Sequence, residues 1–99
     1  MAALTATKKA LLPIGDKVLA TFGFTIANAN AADEWIQCAG LSWIEAVVGV
    51  VPIGTADLID VPAFVLNAEG TGVTAGTDPG ALGIEGNAAD WQVTVIGKR

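Results

Sequence analysis

The chain of 99 residues has no histidine, no tyrosine and one cysteine, Cys38. Without histidine, the usual zinc and copper ligand sets cannot be built, and a serine or cysteine nucleophile has no imidazole to activate it. A lone cysteine excludes an internal disulfide, so we expect Cys38 to be a small core residue. These absences predict a protein that is not an enzyme, with no catalytic residues, no metal site and no cofactor. Calcium is left open, because acidic loops are present without the Asp-x-Asp-x-Asp spacing of a calcium loop.

Charged residues are also scarce, at 15% of the chain, whereas hydrophobic residues reach 53%. So little charge on the surface favours burial of part of that surface in a partner. Residues 18–97 contain nine carboxylates and no cation. An acidic body repels phosphate groups, so we expect no direct nucleic-acid binding. The five cations lie towards the two ends of the chain: Lys8, Lys9, Lys17, Lys98 and Arg99.

Long apolar runs are absent as well. Glu45 and Pro52 interrupt the most apolar stretch, so no segment of about 18 uncharged apolar residues exists, and we expect no membrane span. The apolar stretch that follows Lys8 and Lys9 is too short for a secretory signal. Synthesis in the cytoplasm is therefore the expectation.

The most apolar stretch, residues 42–51, has apolar side chains at both odd and even positions, with Glu45 as its only charge. Its four valines and Ile44 favour an extended backbone, and Gly49 disfavours a helix. A strand that is apolar on both faces has no side for water. We therefore predict a central strand, with one face on the chain's own core and the other on a second subunit. The candidate oligomer interface consists of Trp43, Ile44, Val48 and Val50.

Other segments alternate between apolar and polar residues. The cleanest alternation covers residues 17–27 and predicts a half-buried strand. Residues 34–38 fit a short strand, or alternatively a helix that begins at Asp33. Further strands are predicted near residues 62–66, 82–85 and 91–95. We assign the three tryptophans of these strands to the core or to a subunit interface.

This spacing of short strands predicts an all-β fold, a single antiparallel β-sandwich or small β-barrel over residues 17–99. Residues 1–16 have no sustained period and predict an extended N-terminal arm, which either pairs as an edge strand or frays. An arm of this kind can reach a neighbouring subunit. Its candidate partner-binding residues are Leu4, Lys8, Lys9, Leu11, Leu12, Ile14 and Lys17. The loop at residues 67–80, rich in glycine and threonine, is the alternative binding surface.

Three segments carry a resemblance to a known class of protein: Pro-Ala-Phe-Val-Leu-Asn-Ala at 62–68, Asp-Pro-Gly-Ala-Leu-Gly-Ile-Glu at 78–85, and Trp-Gln-Val-Thr-Val-Ile-Gly at 91–97. Their order resembles the small β-rich virion proteins of tailed bacteriophages, especially capsid decoration or cement proteins. The resemblance implies a viral structural protein, made in the host cytoplasm, that binds and stabilises the assembled capsid. It implies the major capsid protein or another virion protein as the partner, and a homo-oligomer, most often a trimer.

Two further classes are compatible with the same sequence. A phage tail, neck or fibre component relies on the same protein contacts and differs only in its position in the particle. A non-viral binding module of the carbohydrate or adhesin type would be revealed by melting that depends on a ligand.

Overall fold

The computed structural model describes residues 2–27, 31–54, 61–70 and 74–99. These residues form two four-stranded sheets, sheet A in the order β1-β4-β7-β6 and sheet B in the order β2-β3-β8-β5. All neighbours are antiparallel except the short parallel pair β1 and β4. The predicted all-β antiparallel sandwich is confirmed. The strands are β1 (Ala2–Ala3), β2 (Thr7–Ile14), β3 (Lys17–Ile26), β4 (Ala31–Gln37), β5 (Trp43–Ile53), β6 (Ala63–Leu66), β7 (Ala81–Gly86) and β8 (Ala89–Lys98).

The core lies between the two sheets and is built mainly on β3 and β8. Both strands alternate buried and less buried residues along most of their length, as period-two sequences require. Facing them are Leu82 and Ile84 from β7 and Ile36 from β4, all fully buried. The remaining buried apolar side chains of this cluster are Val18, Ala20, Phe22, Phe24, Ile26, Cys38, Leu41, Ile44, Trp91, Val93 and Val95.

The N-terminal segment is an edge strand. β2 pairs with β3 through a turn at Gly15 and Asp16, so the hairpin crosses the predicted boundary at residue 16. Gly15 has φ +63°, a conformation that favours glycine. Leu4 packs against the core, and its N–H donates to the Trp35 carbonyl at 2.7 Å. Of the two interpretations given for residues 1–16, residues 7–14 follow the edge-strand one.

The prediction of a central strand at residues 42–51 is wrong, because β5 lies at the edge of sheet B. Its register against β8 slips twice, which leaves Glu45 and Val48 as bulged residues. Each bulge reverses the alternation, so Ile44, Val47 and Val50, three apart in sequence, all face the core. The two bulges therefore explain why β5 has apolar residues at both odd and even positions. The strand does not have two buried faces.

The predictions for the shorter segments agree more closely with the structure. Residues 31–37 form a strand, so the alternative helix from Asp33 is wrong. The predicted edge strand after Pro62 is confirmed as β6 at the edge of sheet A. The three tryptophans differ: Trp91 is buried, Trp35 is half-buried and Trp43 is 38% exposed. The sequence also predicts a turn at residues 28–33 and a connecting loop at residues 54–60. Residues 31–33 belong instead to β4, because the strand begins at Ala31. Residues 28–30, residues 55–60 and residues 71–73 of the 67–80 loop lie outside the described residues.

Candidate functional site

The outer face of sheet B, directed away from the core, carries a row of apolar side chains. Residues directly opposite each other on paired strands share a face, so the register identifies each row. Leu12 pairs with Leu19, Leu19 with Ile96, and Ile96 with Ala46. This row crosses all four strands, and no part of the described chain covers it with another layer. Within this row, the Leu12 side chain is 56% exposed.

Other large side chains widen this apolar row. Ile14 and Trp43 belong to the neighbouring cross-strand row, at 49% and 38% exposure. Val48, on the second bulge of β5, is 56% exposed. An apolar area that crosses a whole sheet is typical of a protein interaction site, whereas single exposed apolar residues are ordinary. We call this surface the B face and define it as Leu12, Ile14, Lys17, Leu19, Trp43, Ala46, Val48, Ile96 and Lys98.

Cations border the apolar row. Lys17 and Lys98 are direct cross-strand partners, although 81 positions separate them in sequence. The Lys9 side chain lies over Gly23, its Cε 2.9 Å from where a Cβ on that glycine would stand. Lys8 lies on β2, and Arg99 directly follows β8. All five cations of the chain therefore belong to sheet B or its end.

One carboxylate partly balances these cations. Glu45, on the first bulge of β5, forms a salt bridge across β8 with Lys17 on β3. The hydrogen bond that the Lys17 ammonium donates to this carboxylate raises the pKa of Lys17, which stays charged over the whole physiological range. Because both side chains are partly exposed, we expect the pair to add little to the stability of the fold. Its main effect is to hold the two charged groups in fixed positions on the surface of sheet B.

The predicted site residues divide between this surface and the rest of the molecule. Among the candidate partner-binding residues, Leu12, Ile14 and Lys17 lie on the B face. Leu4 packs against the core, while Lys8 and Leu11 pair with the inward-facing Phe22 and Ala20. Leu11 also approaches Gly40, its Cδ1 3.1 Å from the position of a Cβ there.

The four candidate oligomer residues divide in the same way. Trp43 and Val48 are exposed and lie on the B face. Ile44 is 1% exposed and belongs to the core of its own chain, and Val50 is half-buried against that core. Four residues of the B face are in neither predicted set: Leu19, Ala46, Ile96 and Lys98. The signal was present, since both Leu19 and Ile96 are apolar residues at the polar parity of their strands.

A buried asparagine joins the two sheets at the other edge of β5. Asn67 follows β6, has φ +56° and is 2% exposed. Its Oδ1 accepts the Ile44 N–H at 2.7 Å and the Gly80 N–H at 3.2 Å. Its Nδ2 donates to the Ile44 carbonyl at 2.8 Å. The Asn67 amide thus forms with Ile44 the two backbone hydrogen bonds that a neighbouring strand would otherwise form. These bonds also hold the start of the 67–80 loop in place.

Chemically reactive groups are few among the described residues. No three histidine, cysteine, aspartate or glutamate side chains in that part of the chain are placed to hold a metal ion. Cys38 is fully buried, and burial raises the pKa of its thiol to about 12. The thiolate is the nucleophile, so this thiol is protected both by burial and by its pKa.

We expect Cys38 in the folded protein to react with iodoacetamide far more slowly than in the urea-unfolded protein at pH 9, the ordinary pKa of a thiol. Mass spectrometry of timed samples measures both rates. The unfolded chain serves as the control for reagent activity. Equal rates in the two states would show that Cys38 is accessible in the fold.

Comparison of the chain with protein-family models, with curated proteins and with solved structures finds no match. In the part of the chain that the structure describes, no helix is long and apolar enough to cross a membrane.

Proposed function

We propose that this chain is a non-enzymatic structural protein of a virion, of the capsid decoration or cement type, that binds its partner through the B face. The partner is the major capsid protein or another virion protein, and the contact stabilises the assembled particle. The observation that carries the proposal is the apolar row from Leu12 to Ala46, which no described residue covers with another layer and which Lys17 and Lys98 border.

The composition of the B face supports a protein partner. An apolar centre with a polar, charged rim is the usual anatomy of a stable protein interface. The cations match an acidic partner surface, which steers the encounter and fixes its orientation. The cross-strand row lies on the outer surface of a sheet, whereas small-molecule sites are concave.

A phage tail, neck or fibre component is the second candidate. Its contacts would also be protein contacts with an apolar centre and a charged rim, so the B face suits it equally well. A carbohydrate or adhesin-type module receives less support, because Trp43 is the only one of the three tryptophans that is exposed, whereas Trp91 is buried and Trp35 is half-buried.

The test is co-sedimentation with particles that lack this component. We expect Leu12→Asp to reduce particle retention by more than about tenfold, because it places an unpaired charge at the centre of an apolar contact. Leu12 is exposed on an edge strand, so the fold should tolerate the change.

Val61→Asp is the matched control, since Val61 is 60% exposed and lies outside the B face. Its retention should equal that of the wild type. If Leu12→Asp and Val61→Asp bind equally well, the B face is not the binding surface. Thermal melting of both variants verifies that any loss reflects binding and not unfolding.

A further inference from the structure

A cavity opens on the outer face of sheet B, beyond the end of the B face. Its volume is about 470 Å³, and its lining includes Thr5, Thr7, Lys9, Gly23, Thr25 and Ile53. We call it the Lys9 cavity. Gly23 follows Leu19 by four positions on the same face of β3, so about 13 Å separates the cavity from the apolar row of the B face. Between them lies the cross-strand pair of Thr21 and Thr94, whose hydroxyl oxygens are 3.0 Å apart.

A bulge and a glycine place a lysine side chain in this cavity. Lys9 is the bulged residue of β2, because its neighbours Lys8 and Ala10 pair with consecutive residues of β3. Such a bulge redirects a side chain. Gly23 supplies the space, since the Lys9 Cε lies 2.9 Å from where a Cβ on this glycine would stand. The Lys9 side chain therefore lies over the outer face of sheet B, whereas the Lys8 Nζ lies 3.8 Å from the position of a Cβ on Gly40.

The groups around the cavity suit a carboxylate ligand. Lys9 supplies a positive charge, and no carboxylate of the described residues forms a salt bridge with it. The hydroxyl groups of Thr5 and Thr7 line the same cavity, and a hydroxyl can donate a hydrogen bond. Asp90 lies beside the cavity, where its Oδ1 accepts from the Thr25 hydroxyl at 2.5 Å. One cation beside one carboxylate suits a ligand group with a single negative charge, whereas a phosphate group carries up to about two.

The position of the cavity indicates the source of that carboxylate. A stable interface buries about 800 Å² on each partner, an area roughly 28 Å across. A partner centred on the row from Leu12 to Ala46 therefore extends roughly 14 Å to each side and also covers the Lys9 cavity. A free small molecule would be shut in beneath that partner, whereas a group of the partner arrives with the contact itself.

We propose that the partner of the B face inserts an acidic side chain, an aspartate or a glutamate, into the Lys9 cavity, where its carboxylate accepts a hydrogen bond from the Lys9 ammonium group. This inference rests on the proposed function and adds the chemistry that the partner's surface presents. Ile53, which is 43% exposed, forms an apolar wall for the CH₂ groups of the inserted side chain. A charged group seated in a cavity also fixes the register of the contact, which a flat apolar row alone does not.

The test compares Lys9→Met with Lys8→Met, two variants that each lose one positive charge from adjacent positions of β2. The assay is co-sedimentation with particles that lack this component. We expect Lys9→Met to lower particle retention by about tenfold or more, because the inserted carboxylate loses its charged partner. Lys8→Met should bind as the wild type does, since its side chain lies near Gly40 and not in the cavity.

Gly23→Ala tests the cavity while keeping every charge. The new Cβ would lie 2.9 Å from the Cε of the flexible Lys9 side chain, and the Thr7 carbonyl oxygen is 3.9 Å away. The fold should therefore tolerate the alanine, whereas Lys9 has to leave its position over β3. We expect particle retention to fall severalfold, with a melting temperature close to that of the wild type.

Leu12→Asp in the same assay separates a failure of this inference from a failure of the proposed function. If Leu12→Asp is lost from the particles while Lys9→Met and Gly23→Ala bind normally, the proposed function stands and the inserted carboxylate is overturned. Equal losses for Lys8→Met and Lys9→Met would also overturn it, because a general effect of charge would explain both. If Leu12→Asp binds normally, the B face is not the binding surface, and this inference falls with the proposed function.

Discussion

Replacing Asn67 with aspartate is expected to lower the free energy of unfolding by about 3–5 kcal/mol, the usual cost of leaving an uncompensated charge in the interior. Aspartate keeps the oxygen that accepts from Ile44 and Gly80 but loses the amino group that donates to the Ile44 carbonyl. Its second oxygen then faces that carbonyl oxygen at close range. For a single domain whose total stability is about 5–15 kcal/mol, this is a large fraction.

The pH dependence of the aspartate variant has a definite sign. Burial and the facing carbonyl oxygen disfavour the carboxylate, so the folded state binds its proton more tightly than the unfolded state does. The loss of stability is therefore smallest below about pH 4, the ordinary aspartate pKa, and grows as the pH rises. Urea unfolding of the variant and the wild type at several pH values measures this. A difference in stability that does not change with pH would contradict a buried charge.

Two more substitutions at position 67 separate the contribution of the side-chain hydrogen bonds from that of the strained backbone conformation. Alanine removes all three hydrogen bonds of Asn67 and keeps a Cβ at φ +56°, a conformation that asparagine tolerates better than alanine does, whereas glycine removes the same bonds without that strain. We expect aspartate to destabilise most, alanine next and glycine least. Glycine should still cost about 1–3 kcal/mol, because the backbone groups of Ile44 are left buried without partners. If glycine were as stable as wild type, the amide would not be holding the sheets together.

The second large effect is expected from Gly83→Ala. A Cβ at this position would stand 1.9 Å from the Gly70 carbonyl oxygen and 3.1 Å from that of Ala68. The segment 68–70 crosses directly over the middle of β7, and backbone atoms cannot move aside as a flexible side chain can. We expect a loss of about 3 kcal/mol or more in the free energy of unfolding, from overpacking and displacement of the crossing segment.

Gly49→Ala is the matched control, because Gly49 is also a strand glycine and a Cβ there would have no neighbour within 4 Å. Its stability should stay within about 1 kcal/mol of the wild type. Urea unfolding compares the two variants through the midpoint at constant slope. Equal midpoints for Gly83→Ala and Gly49→Ala would mean that segment 68–70 does not lie on β7.

Local patterns in the sequence predicted most of the strands. Residues 17–26 alternate without interruption, so the strand, its buried face and its half-exposed face were all predictable. The N-terminal residues also follow one of the two interpretations that the sequence allowed. In these segments the physical cause is local, since the parity of a side chain decides its face.

The failures involve features that no local pattern encodes. The bulges at Glu45 and Val48 exist only in the pairing of β5 with β8, so the sequence does not reveal them. Without the bulges, a stretch that is apolar at both odd and even positions predicts a strand with two buried faces. Asparagine is typical of loops, so the sequence around Asn67 predicts only a loop. Its hydrogen bonds to Ile44 join residues that are 23 positions apart in the chain.

The B face was predictable only in pieces. Leu12, Ile14 and Lys17 were identified as partner-binding residues of an arm, and Trp43 and Val48 as part of an oligomer interface. Pairing of β2, β3, β8 and β5 in one sheet places both groups on the same surface. In the sequence the cations lie towards two separate ends of the chain, and the cross-strand pair of Lys17 and Lys98 brings those ends together.

The position of β8 between β3 and β5 has a consequence for synthesis of the chain on the ribosome. Sheet B cannot assemble until residues 89–98 exist, because that strand alone joins the hairpin of β2 and β3 to β5. About 35 residues separate Ile53 from Ala89, and at about 5–20 residues per second their translation takes roughly 2–7 s. During this interval β3 and β5 have open hydrogen-bonding edges and uncovered apolar faces. Nascent chains on neighbouring ribosomes are therefore most prone to pair with one another in this interval, and a chaperone that holds extended apolar segments would act then.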